Sequence, residues 1–293
     1  MTDDWIELKS GALTAAINPL GAELSSLTDR EGRELMTDAD PRWWTGRAPL
    51  LFPIVGRLAG DSYELDHRTY EMAQHGFARR RKFALVERTS GSLVLELAAD
   101  DETRAIYPFD FRLTASFRLS DARLDITITV ANEGDRAMPF SFGFHPAFAW
   151  PLPFGSPADR HHILFDEDEA ADIRRTATGT GLIAATTEAS PVAGRKLVPD
   201  AAMFERDALI WDRLNSRGLL WGVAGEPNIR LEFPDTPWLG LWQKPGARYL
   251  CIEPWAGMAD PIGFSGEIWH KPGIMRLAPA ARRAFRLGIA LTS

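Results

Sequence analysis

The 293-residue chain has a single cysteine, Cys251, which excludes an intrachain disulfide and any metal cage built from several cysteines. It has no basic surplus either. Lys and Arg number 33 against 40 Asp and Glu, a formal net charge of -7, so no nucleic-acid partner is expected. Long apolar runs are missing. The longest, around Ala48 to Val55, falls far short of the ~20 residues that cross a bilayer as a helix, so no membrane partner is expected. The start, Met1-Thr2-Asp3-Asp4, is acidic and shows no basic segment leading into an apolar core. No secretory signal is read there, and a reducing cytoplasm is the expected location. Helical periodicity is scarce, with one short helix possible over residues 199–206, capped by Asp200.

Two-residue alternation dominates what remains. Phe109, Phe111, Leu113, Ala115, Phe117 and Leu119 alternate with polar or small residues, and Ser120-Asp121-Ala122-Arg123 supplies a turn. Leu124, Ile126, Ile128 and Val130 return with the same period, and Phe285, Leu287, Ile289 and Leu291 repeat it at the end. One greasy and one wet face per strand is the pattern of antiparallel sheet lying on a core. With 45% apolar residues and 20 Pro and 24 Gly scattered between short strands, the chain reads as all-β. The expectation is one large antiparallel β-sandwich domain over residues 1–293. The least regular stretch, Asp166 to Ala193, reads as a surface loop or lid.

Several short motifs carry little. Gly179-Thr180-Gly181-Leu182-Ile183-Ala184 fits a dinucleotide string but lacks the expected strand before it and helix after it. Gly263-Phe264-Ser265-Gly266 is followed by Glu267 where a nucleophile elbow needs glycine. His161 and His162 are adjacent, so a strand turns them to opposite faces, and both read as surface residues. Arg79-Arg80-Arg81-Lys82 fits either a phosphate site or a solvated strand.

Four segments look unlike scaffold. In Tyr249-Leu250-Cys251-Ile252-Glu253-Pro254, Tyr249, Cys251 and Glu253 share one face, and Pro254 should end regular pairing because it has no N–H to give. Glu253, a carboxylate at a strand end in apolar company, is a candidate general base or a loop-binding glutamate. Phe140, Phe142 and Phe144 should fill the core, while Ser141, Gly143 and His145 share the other face and leave space beside the imidazole. Pro49 to Arg57 is an apolar run framed by prolines, with Arg57 either solvent-facing or holding substrate oxygens. In Gln74-His75-Gly76-Phe77 the glycine lets the backbone turn sharply or approach a ligand closely.

In order along the chain, these segments and Gly21-Ala22-Glu23-Leu24 resemble the aldose 1-epimerase (galactose mutarotase) family, most nearly its bacterial branch close to the hexose-6-phosphate epimerases. The resemblance spans nearly the whole sequence. It implies a galactose mutarotase-like β-sandwich with a sugar-binding groove, and a monomer or weak homodimer with a free or phosphorylated sugar as its small-molecule partner. By motif it makes Glu253 the catalytic carboxylate, His145 the general acid and His75 the residue that helps hold the ring oxygen. Arg57 and Asp207 become substrate-binding residues, with Asp212 the close alternative to Asp207. Classical members place their first histidine after an Asn-rich segment, whereas His75 sits in His-Gly-Phe-Ala-Arg. The sugar is therefore left open.

The implied chemistry is ring opening at C1. A base takes the C1 hydroxyl proton while an acid protonates the ring oxygen, the aldehyde rotates, and the ring closes on its other face. That requires neither metal nor cofactor, and none is expected. An ionised Glu253 and a protonated His145 would form the pair. Trp242 and Trp255 are candidate platforms for the sugar's C–H face, or core aromatics. A sugar sensor on the same scaffold and a glycoside hydrolase are the competing readings. The hydrolase needs a second flanking carboxylate, and only Glu253 stands out.

Overall fold

A computed structural model describes residues 4–292. Two large antiparallel sheets make up most of it. The larger has nine strands and is built around Phe111–Ser120, Arg123–Asn132 and Arg282–Thr292. Its hairpin pairs Ser120 with Arg123 across Asp121-Ala122, and Asp121 takes φ 49°, which a short turn requires and aspartate tolerates. The strand Arg282–Thr292 pairs with Arg123–Asn132 on one side and Asn228–Glu232 on the other, so it lies in the middle of the sheet. Phe285, Leu287 and Ile289 point inward there, as their alternation predicts.

The second sheet has eight strands. Its centre runs Leu209–Trp211, Trp238–Trp242, Tyr249–Ala256 and Phe142–Phe144, with Ala147–Ala149 also paired to Tyr249–Ala256. Leu239, Leu241, Leu250, Ile252, Phe142 and Phe144 pack inward into the main apolar cluster. Phe142 stacks on Phe285 of the other sheet at 4.6 Å between ring centroids. Burying such a ring contributes roughly 1.5–3 kcal/mol, and this layer of rings makes a sandwich of the two sheets. Every second residue of the same strands faces away from that core. Ile210, Trp242, Cys251, Glu253 and Trp255 therefore share the outer face, where the candidate site lies.

Local expectations differ from the structure in four places. Pairing does not stop at Pro254: the strand continues to Ala256, with Trp255 opposite both Trp238 and Gly143. The Ile252 N–H donates to the Pro146 carbonyl, so the Pro254 nitrogen faces the same side, into the break between Phe142–Phe144 and Ala147–Ala149. No ladder bond is lost there. The stretch 166–193 contains two strands, Ile173–Thr176 and Ile183–Glu188, and the dinucleotide-like string is the turn between them and the start of the second strand. Ile183–Glu188 is the edge strand and is exposed through its middle, and each of the two strands buries only one apolar residue, Ile173 or Ile183, so the apolar alternation was too faint to read. His161 is buried, between the Leu152 N–H at 2.9 Å and the Pro157 carbonyl at 3.0 Å. The short helix is a 3-10 turn, Ala201–Phe204, with Asp200 accepting the Ala202 N–H as its cap.

Candidate active site

Glu253 and His145 meet on the outer face of the eight-stranded sheet. Imidazole Nε2 lies 3.1 Å from carboxylate Oε2, and both side chains are almost fully buried, 8% and 3% exposed. They reach this point for different reasons. Strand alternation turns Glu253 outward, while His145 sits in the kink that carries the chain from Phe142–Phe144 into Ala147–Ala149. Burial pushes the Glu253 carboxyl well above its usual range, and the Asp207 carboxylate pushes the same way. The Trp255 indole N–H opposes this from nearby, outside hydrogen-bonding geometry. Burial likewise lowers the His145 imidazole to about 3. An ionised carboxylate facing an imidazolium is therefore not the favoured resting state. Both shifts favour the neutral carboxyl and the neutral imidazole over the charged pair.

The rings of His75 and His145 meet edge to face at 5.6 Å. His75 Nδ1 accepts the Gly56 N–H at 3.1 Å, which places the proton of a neutral ring on Nε2. Burial, reinforced by His145 and Arg79, keeps this ring neutral. His75 Nε2 is thus an N–H donor, and it lies 3.3 Å from the Gln74 side-chain amide, which must turn its oxygen towards it to accept. Its backbone takes φ 65°, followed by Gly76 at φ 70°, where a Cβ would lie 2.2 Å from the Phe52 carbonyl oxygen. The glycine is required by close approach of backbone, not of ligand.

The space expected beside His145 is filled. A Cβ on Gly143 would meet the Trp255 indole at 2.7 Å, and one on Gly240 would meet it at 2.6 Å. These two glycines cradle Trp255, which forms part of the cavity wall. Trp242 lines the cavity too, 6.2 Å from His145 between ring centroids.

The cavity measures 340 Å³, at the small-molecule end of ligand pockets at ~300–1,000 Å³. Glu253, His145, His75, Trp242 and Asp207 all line it. Asp207 takes φ 69° and accepts the Thr176 hydroxyl at 2.6 Å. Asp212 is bound by Arg174 and is not part of this wall. Arg57 is not brought to the cavity: its guanidinium grips Asp61 at 2.6 and 2.7 Å. Arg79 takes that place. It lies on a 3-10 turn, Ala78–Arg80, with Nη2 on the Gln74 carbonyl at 3.0 Å and Nε buried without a partner. Sequence reasoning singled out neither Trp44, whose ring lies 5.0 Å from His145, nor Gln74 as a site residue. The signal for Trp44 was a tryptophan pair, Trp43-Trp44, set among turn residues.

Residues 4–272 match the aldose 1-epimerase family. The chain belongs to that family. Among its relatives is protein LacX of Lactococcus lactis, 31% identical over 283 residues, with 94% of this chain and 95% of the relative covered. A galactose mutarotase related enzyme from Lactobacillus acidophilus has a similar solved structure, with TM-score 0.90, 28% identity and coverage of 99% and 97% of the two chains. A galactose mutarotase-like protein from Lactobacillus casei gives TM-score 0.91 and 26% identity over 98% of this chain and all of its own. These two solved structures share the fold over 99% and 98% of this chain. No helix among the described residues is long and apolar enough to cross a membrane.

Proposed function

We propose that this member of the aldose 1-epimerase family interconverts the α and β anomers of an unphosphorylated aldose, with Glu253 and His145 exchanging the two protons of ring opening. The observation that carries this reading is the 3.1 Å contact between His145 Nε2 and Glu253 Oε2 on the wall of a sugar-sized cavity. Anomer exchange needs one group to take a proton from O1 and another to give one to the ring oxygen. A buried carboxyl and imidazole that share a single proton would have that stoichiometry.

A sugar's hydroxyl donors against Glu253 favour its carboxylate and move the shared proton onto His145. Glu253 then acts as base towards O1 and His145 as acid towards O5. The roles reverse when the ring closes on its other face. His75, neutral and proton-bearing at Nε2, donates to a ring or hydroxyl oxygen. Arg79 and Asp207 read further hydroxyls, and Trp242 with Trp255 faces the sugar's C–H surface.

The choice of a free sugar over a phosphate ester rests on charge. A phosphate needs two or more converging cations. Arg79 is the one Lys or Arg on this wall, Asp207 opposes an anion, and Arg57 is held by Asp61. The test is an anomerisation screen by polarimetry or NMR exchange over free hexoses, free pentoses and hexose 6-phosphates. Faster exchange of a free sugar is expected. Acceleration confined to 6-phosphates overturns the choice of substrate, and no acceleration with any sugar overturns the activity.

A further inference from the structure

The proposed chemistry uses Glu253 and His145 but leaves the buried thiol beside them without a role. Cys251 lies one pleat before Glu253 on the same strand face. Ligand atoms of His145, Cys251 and Glu253 all lie within 4.8 Å of one another. Two further observations mark these groups as available. Apart from its contact with His145, the Glu253 carboxylate accepts no hydrogen bond from the described residues, although it is 98% buried (2% exposed). His145 Nδ1 is also buried without a partner.

From this geometry we infer that His145, Cys251 and Glu253 form an inhibitory binding site for a thiophilic divalent cation of the zinc type. Zinc takes nitrogen, sulfur and carboxylate oxygen at ~2.0–2.3 Å, in a tetrahedron that sets ligands roughly 3.3–3.8 Å apart. The His145–Glu253 separation of 3.1 Å is already close to one such edge. Small side-chain rotations bring the sulfur in. Three protein ligands leave a fourth position facing the cavity, which His145 and Glu253 both line. On binding, the cation displaces the Cys251 thiol proton and any proton on the Glu253 carboxyl, and these leave to water. The bound ion then occupies the lone pairs that proton exchange with a sugar requires. Inhibition rests on the proposed function, whereas binding does not.

Cobalt(II) separates the two. Cys251 is the chain's single cysteine, so a sulfur-to-cobalt charge-transfer band in the near ultraviolet can arise from no other residue. The expected result is one equivalent of cobalt giving that band in the wild type, lost in both Cys251→Ser and Cys251→Ala. Zinc should displace the cobalt. It should also inhibit anomerisation reversibly, with EDTA restoring activity, and its half-inhibitory concentration should rise at least tenfold in whichever cysteine variant folds. Absence of the band in the wild type overturns the site, as does an unchanged zinc response in a folded variant. A band in a protein that anomerises no sugar leaves the site standing and removes the function. Turnover without a band does the reverse.

Discussion

At the scale of single residues, the proposed function depends on burying groups that water would rather keep. Burial pushes the Glu253 carboxyl towards its protonated form, so the folded state loses stability as pH rises through its raised folded pKa, while the unfolded chain ionises from about 4.3 upward. Replacing Glu253 with Gln removes that loss. The variant should be at least as stable as the wild type near pH 5 and increasingly more stable towards pH 8, measured by thermal unfolding across that range. Its anomerisation rate should fall by ~10²–10⁴-fold, the usual worth of acid–base help, while sugar binding persists. The histidines act in the opposite sense. His75 and His145 are held neutral, so stability present above about pH 6.5 drains away as pH falls towards their depressed folded values. The two arginines divide just as clearly. Arg79→Met should lower kcat/KM by ~10–100-fold, the loss of a charge-assisted hydrogen bond. Arg57→Met, which breaks an exposed pair with Asp61, should leave the kinetics nearly unchanged. Equal effects of the two substitutions in steady-state assays would contradict the placement of Arg79 on the substrate wall.

Elements carry the site by what they omit. Gly240 and Gly143, on neighbours of Tyr249–Ala256 to either side, leave the slot that Trp255 fills. Gly240→Ala should therefore cost ~1–3 kcal/mol by overpacking and drive the indole towards the cavity. Denaturant unfolding and a raised KM would show it, and a variant with wild-type stability would mean that the ring repacks freely. This slot shows where sequence reading works and where it fails. The outward face of Tyr249, Cys251 and Glu253 is legible because strand period is local. So are the Phe111–Ser120 hairpin and the inward Phe285 face. The filling of Gly143's space by Trp255 is a contact between residues 112 apart, and no periodicity reports it. Arg57 escaped for a different reason: the i+4 carboxylate of Asp61 claims its guanidinium, and the turn at Ala59–Asp61 that brings the two together has no period to read.

Over the whole molecule, the cavity wall is fastened to distant chain by one buried ion pair. Asp260 follows Ala259 of the wall, accepts the Ala59 N–H at 2.9 Å through Oδ2, and meets Lys271 Nζ at 2.6 Å through Oδ1. Both charged ends are nearly inaccessible, 1% and 4% exposed. Burial lowers the Lys271 pKa and Asp260 raises it, so the pair is a compensated cost more than a source of stability. Nothing in the sequence around Lys271 announces this, because a lone lysine among turns ordinarily reads as solvated. Removing one partner leaves the other charge buried alone. Lys271→Met should thus lose ~3–5 kcal/mol in denaturant unfolding. Adding Asp260→Asn should restore part of that loss, because the uncompensated carboxylate goes with it. The pair spans the loop at Ala59, the wall at Ala259 and the turn at Ile268–His270, so the damage should also reach the site. Catalysis should fall in the single variant at temperatures where most molecules remain folded, and recover in the double. If Lys271→Met unfolds within 1 kcal/mol of wild type and turns over normally, the pair is incidental and the wall is held by its apolar contacts alone.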